Sequence, residues 1–224
     1  MPSKFMVVAI DGPAASGKSS TAQWVAQVLG FRHVDSGALY RAAAAAALRA
    51  GTAVDDLQEE DVLRVVSSVD LSPKATSFTP LLDGQDASDE IRSEGVTRAV
   101  SVVAQMPRIR AWVNQRVQQV AANHDVVVDG RDMGTAVFPQ AALKIFLVAD
   151  PWERARRRLI QVLGRHPTDP EIAEETERLV RRDAADATQT AQARDAVLID
   201  TTYLTQEQQV ERIVALTQAA RPRA

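Results

Sequence analysis

The chain of 224 residues has room for one domain carrying inserted subdomains, and its 46% apolar share is enough to build a core. A formal net charge of -3 excludes bulk attraction to nucleic acid or to anionic membrane, so any phosphate binding must be local. With no cysteine there is neither a disulfide framework nor a thiolate metal site, which suits a reducing cytosol.

The opening segment MPSKFMVVAIDG has too short an apolar run for a signal peptide, and no stretch is long enough to span a bilayer. A soluble, cytoplasmic protein is expected. Phe5 to Ile10 reads as a buried strand that runs into a loop at Asp11-Gly12-Pro13. A helix follows, with Trp24, Val25, Val28 and Leu29 at helical spacing and Gly30 as its stop. Phe31 to Val34 reads as a second strand, and the alanine-rich stretch from Ala38 to Ala50 as a second helix ending at Gly51. This alternation predicts a parallel sheet with helices on both faces.

The middle changes texture. Phe78 to Leu82 followed by Asp83-Gly84 reads as an inserted hairpin. Helical periodicity returns from Val96 onward, with Ile109, Val113, Val117 and Val120 on one face and Trp112 packing beside them. Val126 to Val128, Lys144 to Ala149 and Val197 to Ile199 are three further strands, the last two leading into helices near Pro151 and Thr205. Between these, Arg154, Arg156, Arg157 and Arg158 lead through Gly164-Arg165-His166-Pro167 into a charged helix ending near Arg182. By composition alone this is an ordinary solvated helix pair or a polar hairpin over a site. His33, His124 and His166 lack the paired spacing of a metal site and read as structural or surface residues.

Chemistry enters at Gly12-Pro13-Ala14-Ala15-Ser16-Gly17-Lys18-Ser19, which fits GxxxxGKS at the strand-to-helix junction that gives the pattern its meaning. Glycines let the backbone wrap phosphate oxygens, and the helix that begins there adds the positive end of its dipole. Lys18 would reach the β- and γ-phosphates and Ser19 would offer its hydroxyl to Mg²⁺. The loop does not distinguish a kinase from a GTPase, a motor or a regulator. The strand ending in Asp129 delivers a carboxylate where a Mg²⁺-organising acid belongs, and DGRDMG adds Arg131 and Asp132 beside it. The segment from Asp35 to Arg41 leaves the second strand where an acceptor could face the loop.

Taken together, IDGPAASGKSS, DSGALYR, DGQDASDEIR, the run from Ser101 to Arg110, and DGRDMGTAVFPQAALKIFLVADPWERARRR resemble the bacterial cytidylate kinase family over nearly the whole chain. The resemblance implies an α/β fold: a P-loop NTPase-type parallel five-stranded sheet flanked by helices, an inserted acceptor-binding subdomain with a small antiparallel sheet, and a helical lid. It implies a core at 1–35, 121–151 and 191–224, an acceptor-binding part at 36–120 and a lid at 152–190. It further implies transfer of the γ-phosphoryl group of ATP, with Mg²⁺, to CMP or dCMP by a monomer that binds neither nucleic acid nor membrane.

By position, the nucleotide donor would be held by Gly12 to Ser19 together with Ser20, and CMP by Ser36, Arg41, Ser101, Arg110, Arg131, Asp132, Arg182 and Asp186. Lys18, Arg131 and the lid arginine Arg158 would be catalytic, and Ser19 with Asp129, the latter through water, would hold the metal. One departure stands out. The family pattern has an arginine three residues beyond the aspartate, where this chain has Gln189, which brings no charge. Either a lid arginine substitutes or the acceptor binds less tightly. Other small P-loop kinases, acting on UMP, AMP or shikimate, and a slow nucleotide-hydrolysing switch are the competing readings; against the switch, the chain lacks an NKxD guanine-reading motif.

Overall fold

A computed structural model describes residues 5–221. The core segments read from the sequence therefore extend, at 1–4 and 222–224, outside the described residues. In chain order the elements are β1 (Val7–Asp11), α1 (Lys18–Leu29), β2 (Arg32–Asp35), α2 (Ser36–Arg49), α3 (Glu59–Val65), β3 (Val69–Pro73), β4 (Phe78–Leu82), β5 (Gln85–Asp86), α4 (Glu94–Val103) and α5 (Pro107–Ala121). There follow β6 (Val126–Asp129), a π-helical turn (Met133–Val137), β7 (Leu143–Val148), α6 (Pro151–Leu163), α7 (Asp169–Asp186), β8 (Val197–Asp200) and α8 (Gln206–Ala220).

Five strands form one parallel sheet in the order β2-β6-β1-β7-β8. Successive side chains of a strand point to opposite faces, so β1 feeds two cores at once. Val7 and Ala9 enter the layer made by α2, α4 and α5, while Val8 and Ile10 enter the layer where α1 and α8 pack through Val25, Ala26, Val210 and Ile213. This is the physical reason β1 and β6 read as unbroken apolar runs instead of alternating ones.

The sheet runs one residue further than the sequence suggested. Asp11, Asp35 and Asp129 are the last residues of β1, β2 and β6, because Ile10 pairs with Asp129 and Asp35 pairs with Asp129 across the parallel ladder. Three adjacent strands thus deliver three carboxylates to one edge, the carboxyl end where open α/β sheets bind ligands.

The inserted middle holds a second, antiparallel sheet in the order β3-β4-β5. Asp83 and Gly84, at φ of 50° and 78°, form the expected β4–β5 turn. The expected helix from Val96 onward is in fact two: Pro107 cannot continue α4, and it opens α5 at its first turn. No stretch had been assigned to α3 or β3. Among the described residues no helix is long and apolar enough to cross a membrane.

Candidate active site

The loop between β1 and α1 is shaped by backbone geometry. Gly12 has φ of 148°, and a Cβ there would lie 2.1 Å from the Leu147 carbonyl oxygen, so the loop can press against β7 only with glycine at this position. Ala15 and Gly17 also take positive φ, at 57° and 87°, turning the chain so that α1 starts at Lys18. Lys18 Nζ arches back to donate to the Pro13 carbonyl at 2.6 Å, and burial, with Arg131's charge beside it, pulls its pKa down. Ser20 Oγ donates to the Gly17 carbonyl at 3.0 Å.

Behind the loop stands Asp129. One of its carboxylate oxygens accepts from Ser19 Oγ at 2.6 Å, and the other lies 2.6 Å from His33 Nε2. Burial works against both charges. For Asp129 it is outweighed by His33, Ser19 and Lys18, which lower its pKa, and for His33 by the Asp129 hydrogen bond and charge, which raise its pKa. The contact thus favours the charged form of each partner. Ser36 Oγ donates to the Asp129 carbonyl at 2.7 Å, and a Cβ on Gly130 would sit 2.6 Å from that hydroxyl, so a larger residue there would displace the Ser36 and Met133 side chains.

Across the cleft, Arg110 Nη2 bonds Asp132, whose pKa burial still holds above the usual carboxylate range. Arg110 Nη1 donates to the Ala104 carbonyl at 3.1 Å and to Gln189 Oε1 at 2.7 Å. Asp186 Oδ2 is 3.4 Å from Arg131 Nε and 3.8 Å from Arg182 Nε, a buried nitrogen with no hydrogen-bond partner. Burial, with Arg131, Arg41 and Arg158 crowding it, brings the Arg182 pKa down to about 10. Arg158 Nε is held by Glu175 at 2.9 Å. Guanidinium groups outnumber carboxylates here, the electrostatic state of a site made for an anion.

Most of these groups line one cleft of about 1040 Å³, with His33 and Glu175 behind its wall. Ala14 to Ser20, Ser36, Arg41, Ser101, Arg110, Asp129, Arg131, Asp132, Arg158, Arg182 and Asp186 are on its walls; Gly12 and Pro13 are not, and serve the loop from behind. Among described residues no three His, Asp or Glu side chains gather as a metal cage.

The arginine-rich run divides its labour. Arg154 donates to the Ala14 carbonyl at 2.8 Å and pairs with Asp183 at 2.7 Å, while Asp183 accepts from the Ala14 N–H at 3.2 Å. Both peptide groups of Ala14 are thereby held from α6 and α7. Arg157 donates to the Thr201 and Thr202 carbonyls at 2.6 and 2.7 Å, and Arg156 pairs with Glu153. The sequence alone missed His33, Arg154 and Asp183 as site residues, and for Gln189 it suggested a weakened phosphate contact instead of a bond to Arg110. Only their contacts with Asp129, Ala14 and Arg110 reveal them; for His33, adjacency of β2 and β6 was the one available pointer.

A GxxxxGKS loop at the carboxyl edge of a five-stranded parallel sheet, opening on a basic cleft, defines a P-loop nucleotide-binding protein. The family model for cytidylate kinase matches residues 8–219. A cytidylate kinase of Thermus thermophilus is 44% identical over 93% of this chain and 97% of its own, and one of Geobacillus kaustophilus is 44% identical over 93% and 95%. One from Streptomyces griseus is 42% identical over 96% of this chain and 94% of its own. The chain belongs to the cytidylate kinase family. Among solved structures, a shikimate kinase from Bacteroides thetaiotaomicron has a TM-score of 0.49 and 14% identity over 95% of this chain and 98% of that one.

Proposed function

We propose that the protein transfers the γ-phosphoryl group of ATP to CMP or dCMP, giving ADP and CDP or dCDP. A phosphate oxygen of the acceptor attacks the γ-phosphorus in line as the bond to the β-phosphate oxygen breaks, and ADP leaves on the opposite side. A phosphate monoester is already ionised near neutral pH, so no general base is needed. The protein contributes position and charge: the loop from Gly12 to Ser20 cradles the donor phosphates, and Lys18, Arg131 and Arg158 meet charge on the transferring group.

Residues 36–120 would form the acceptor-binding part and 152–190 the lid, on a core of 1–35, 121–151 and 191–224. Ser36, Arg41, Ser101, Arg110, Arg131, Asp132, Arg182 and Asp186 would hold the acceptor. Arg41 and Arg131 suit its phosphate, since a guanidinium fork binds phosphate bidentately and keeps its charge when partly buried, and Arg182 with Asp186 suits its sugar.

The observation that carries the choice of acceptor is the Arg110–Asp132 pair standing beside the guanidinium cluster in the same cleft. Cytosine offers an N4 amine donor and an N3/O2 acceptor edge, so Asp132 with Ser101 takes the amine while Arg110 donates to the acceptors. Uracil turns its O4 toward the carboxylate, a mismatch of a few kcal/mol.

Mg²⁺ fits the site: Ser19 and the ionised Asp129 are hard oxygen donors in contact at the loop mouth, and Mg²⁺ keeps several waters and binds largely through substrate phosphates. Ser19 would hold it directly and Asp129 through water. When bound with ATP it neutralises charge on the β- and γ-oxygens.

Steady-state kinetics with CMP, dCMP, UMP and AMP test the proposal. CMP or dCMP should have the highest kcat/KM, and ADP should form only when an acceptor is present. Preference for UMP would sink the base assignment, and equal ADP release with and without CMP would make the protein a nucleotide-hydrolysing switch.

A further inference from the structure

The acceptor end of the cleft contains a relay of side-chain amides that phosphoryl transfer does not itself require. Arg110 Nη1 donates to Gln189 Oε1 at 2.7 Å, Gln189 Nε2 donates to Gln105 Oε1 at 2.6 Å, and Gln105 Nε2 donates to the Ala185 carbonyl at 3.3 Å. Its direction is fixed at both ends, because a guanidinium has no acceptor and a carbonyl has no donor. Each amide has one orientation that satisfies the chain. Gln189 thus presents its oxygen to a cation, whereas contact with an acceptor phosphate would require it to present its amine.

Arg110 depends on this arrangement. Its other bonds run to Asp132 and to the Ala104 carbonyl, and its guanidinium lies 6.0 Å over the Tyr40 ring. Its side chain is only 18% exposed, so a lost hydrogen bond is not freely replaced by water. Gln189 holds the side of the fork that Asp132 does not, and Gln105, at the break between α4 and α5, braces Gln189 from solvent.

We infer that Gln189 is a specificity-determining positioning residue: it fixes Arg110 against Asp132 so that the reader of the acceptor base is assembled before the acceptor arrives, and it does not grip the acceptor's phosphate. The relay also joins α5, which carries Arg110, to the segment just beyond α7, so the base reader is completed by the part of the chain that carries Arg182 and Asp186. This rests on the reading above that Arg110 and Asp132 recognise cytosine.

The test is the ratio of kcat/KM for CMP to that for UMP in the wild type, Gln189→Ala, Gln105→Ala and Gln189→Glu, with KM for ATP and the circular dichroism spectrum as controls. Gln189→Ala should lower the ratio about tenfold with KM for ATP unchanged, the effect of losing one hydrogen bond to a charged group. Gln105→Ala should move it the same way by about threefold, since the bond it removes is between neutral groups. Gln189→Glu, which still accepts from Arg110 but can no longer donate to Gln105, should lower the ratio no further than Gln105→Ala does and so fall well short of Gln189→Ala. If Gln189→Ala weakens CMP and UMP by the same factor, Gln189 contacts the shared phosphate; if neither changes, it has no role; both results overturn the inference. A wild type without preference for CMP overturns the base assignment and the inference together, whereas a CMP-preferring wild type with an unmoved ratio in Gln189→Ala overturns the inference alone.

Discussion

The two ends of the cleft are built on different principles. At the proposed donor end, Gly12, Ala15 and Gly17 bend one continuous stretch of backbone, so that peptide groups whose places follow from the fold of eight residues line the wall. At the proposed acceptor end, the wall is made by side chains from α2, α4, α5, the turn after β6, and α7, several of them held by one another through Arg110–Asp132, Arg110–Gln189 and Arg131–Asp186. A backbone site tolerates little change, and here it is braced at one residue, Ala14, by Arg154 and Asp183. A side-chain site is adaptable and must be propped.

The largest expected break of this contrast is Lys18→Ala, which removes the one side chain the donor loop relies on. Turnover should fall about 10³-fold, as for other groups that stabilise a transferring phosphoryl, with little change in KM for CMP. Next is Asp183→Ala, which strips Arg154 and the Ala14 N–H of their shared partner. Leaving a largely buried guanidinium without its carboxylate should cost about 3 kcal/mol, read in calorimetry as a Tm lower by about 9 °C. Asp132→Ala acts on the propped end alone: KM for CMP should rise about 30-fold, the preference over UMP should blur, and KM for ATP should hold.

The smallest effect is a titration. Burial raises the Asp11 pKa to about 6, against the N–H groups of Met133 and Gly134 that bond its carboxylate. The folded form holds this proton more tightly than the unfolded chain, so its stabilisation is fully present below about pH 4 and lost as pH rises through about 6. Between pH 7 and pH 6 stability should therefore rise by a fraction of a kcal/mol. Carboxyl ¹³C shifts of nucleotide-free protein should titrate with a midpoint near 6 at Asp11, and a midpoint near 4 would show that its hydrogen bonds outweigh burial.

The same contrast explains what could be read in advance. The donor loop was legible because its chemistry is local: spacing, a preceding apolar run and a following helix define it. The sheet was legible because β1 and β6 are buried on both faces and read as unbroken apolar runs up to their closing aspartates, as β7 does from Ile145 onward. α3 and β3 were not, being short and only half-buried, so neither leaves a sustained period. The acceptor residues could be identified only by resemblance, since nothing local to Ser101 or Arg182 distinguishes either from a surface residue. Gln189 shows the limit: position suggested a weakened phosphate contact, while its amide faces Arg110. Likewise, a lone histidine at position 33 looked structural until β2 and β6 proved to be neighbours.

The alanines of α2 have a mechanical consequence. From Ala42 to Ala47, six consecutive residues are buried, so this part of the helix is enclosed on every side while carrying no side chain with a rotamer of its own to change. Neighbours such as Leu82, Val96 and Val100 meet it backbone-close, and a substitution that adds even one methylene to this stretch must be met by movement of those neighbours and not by the helix.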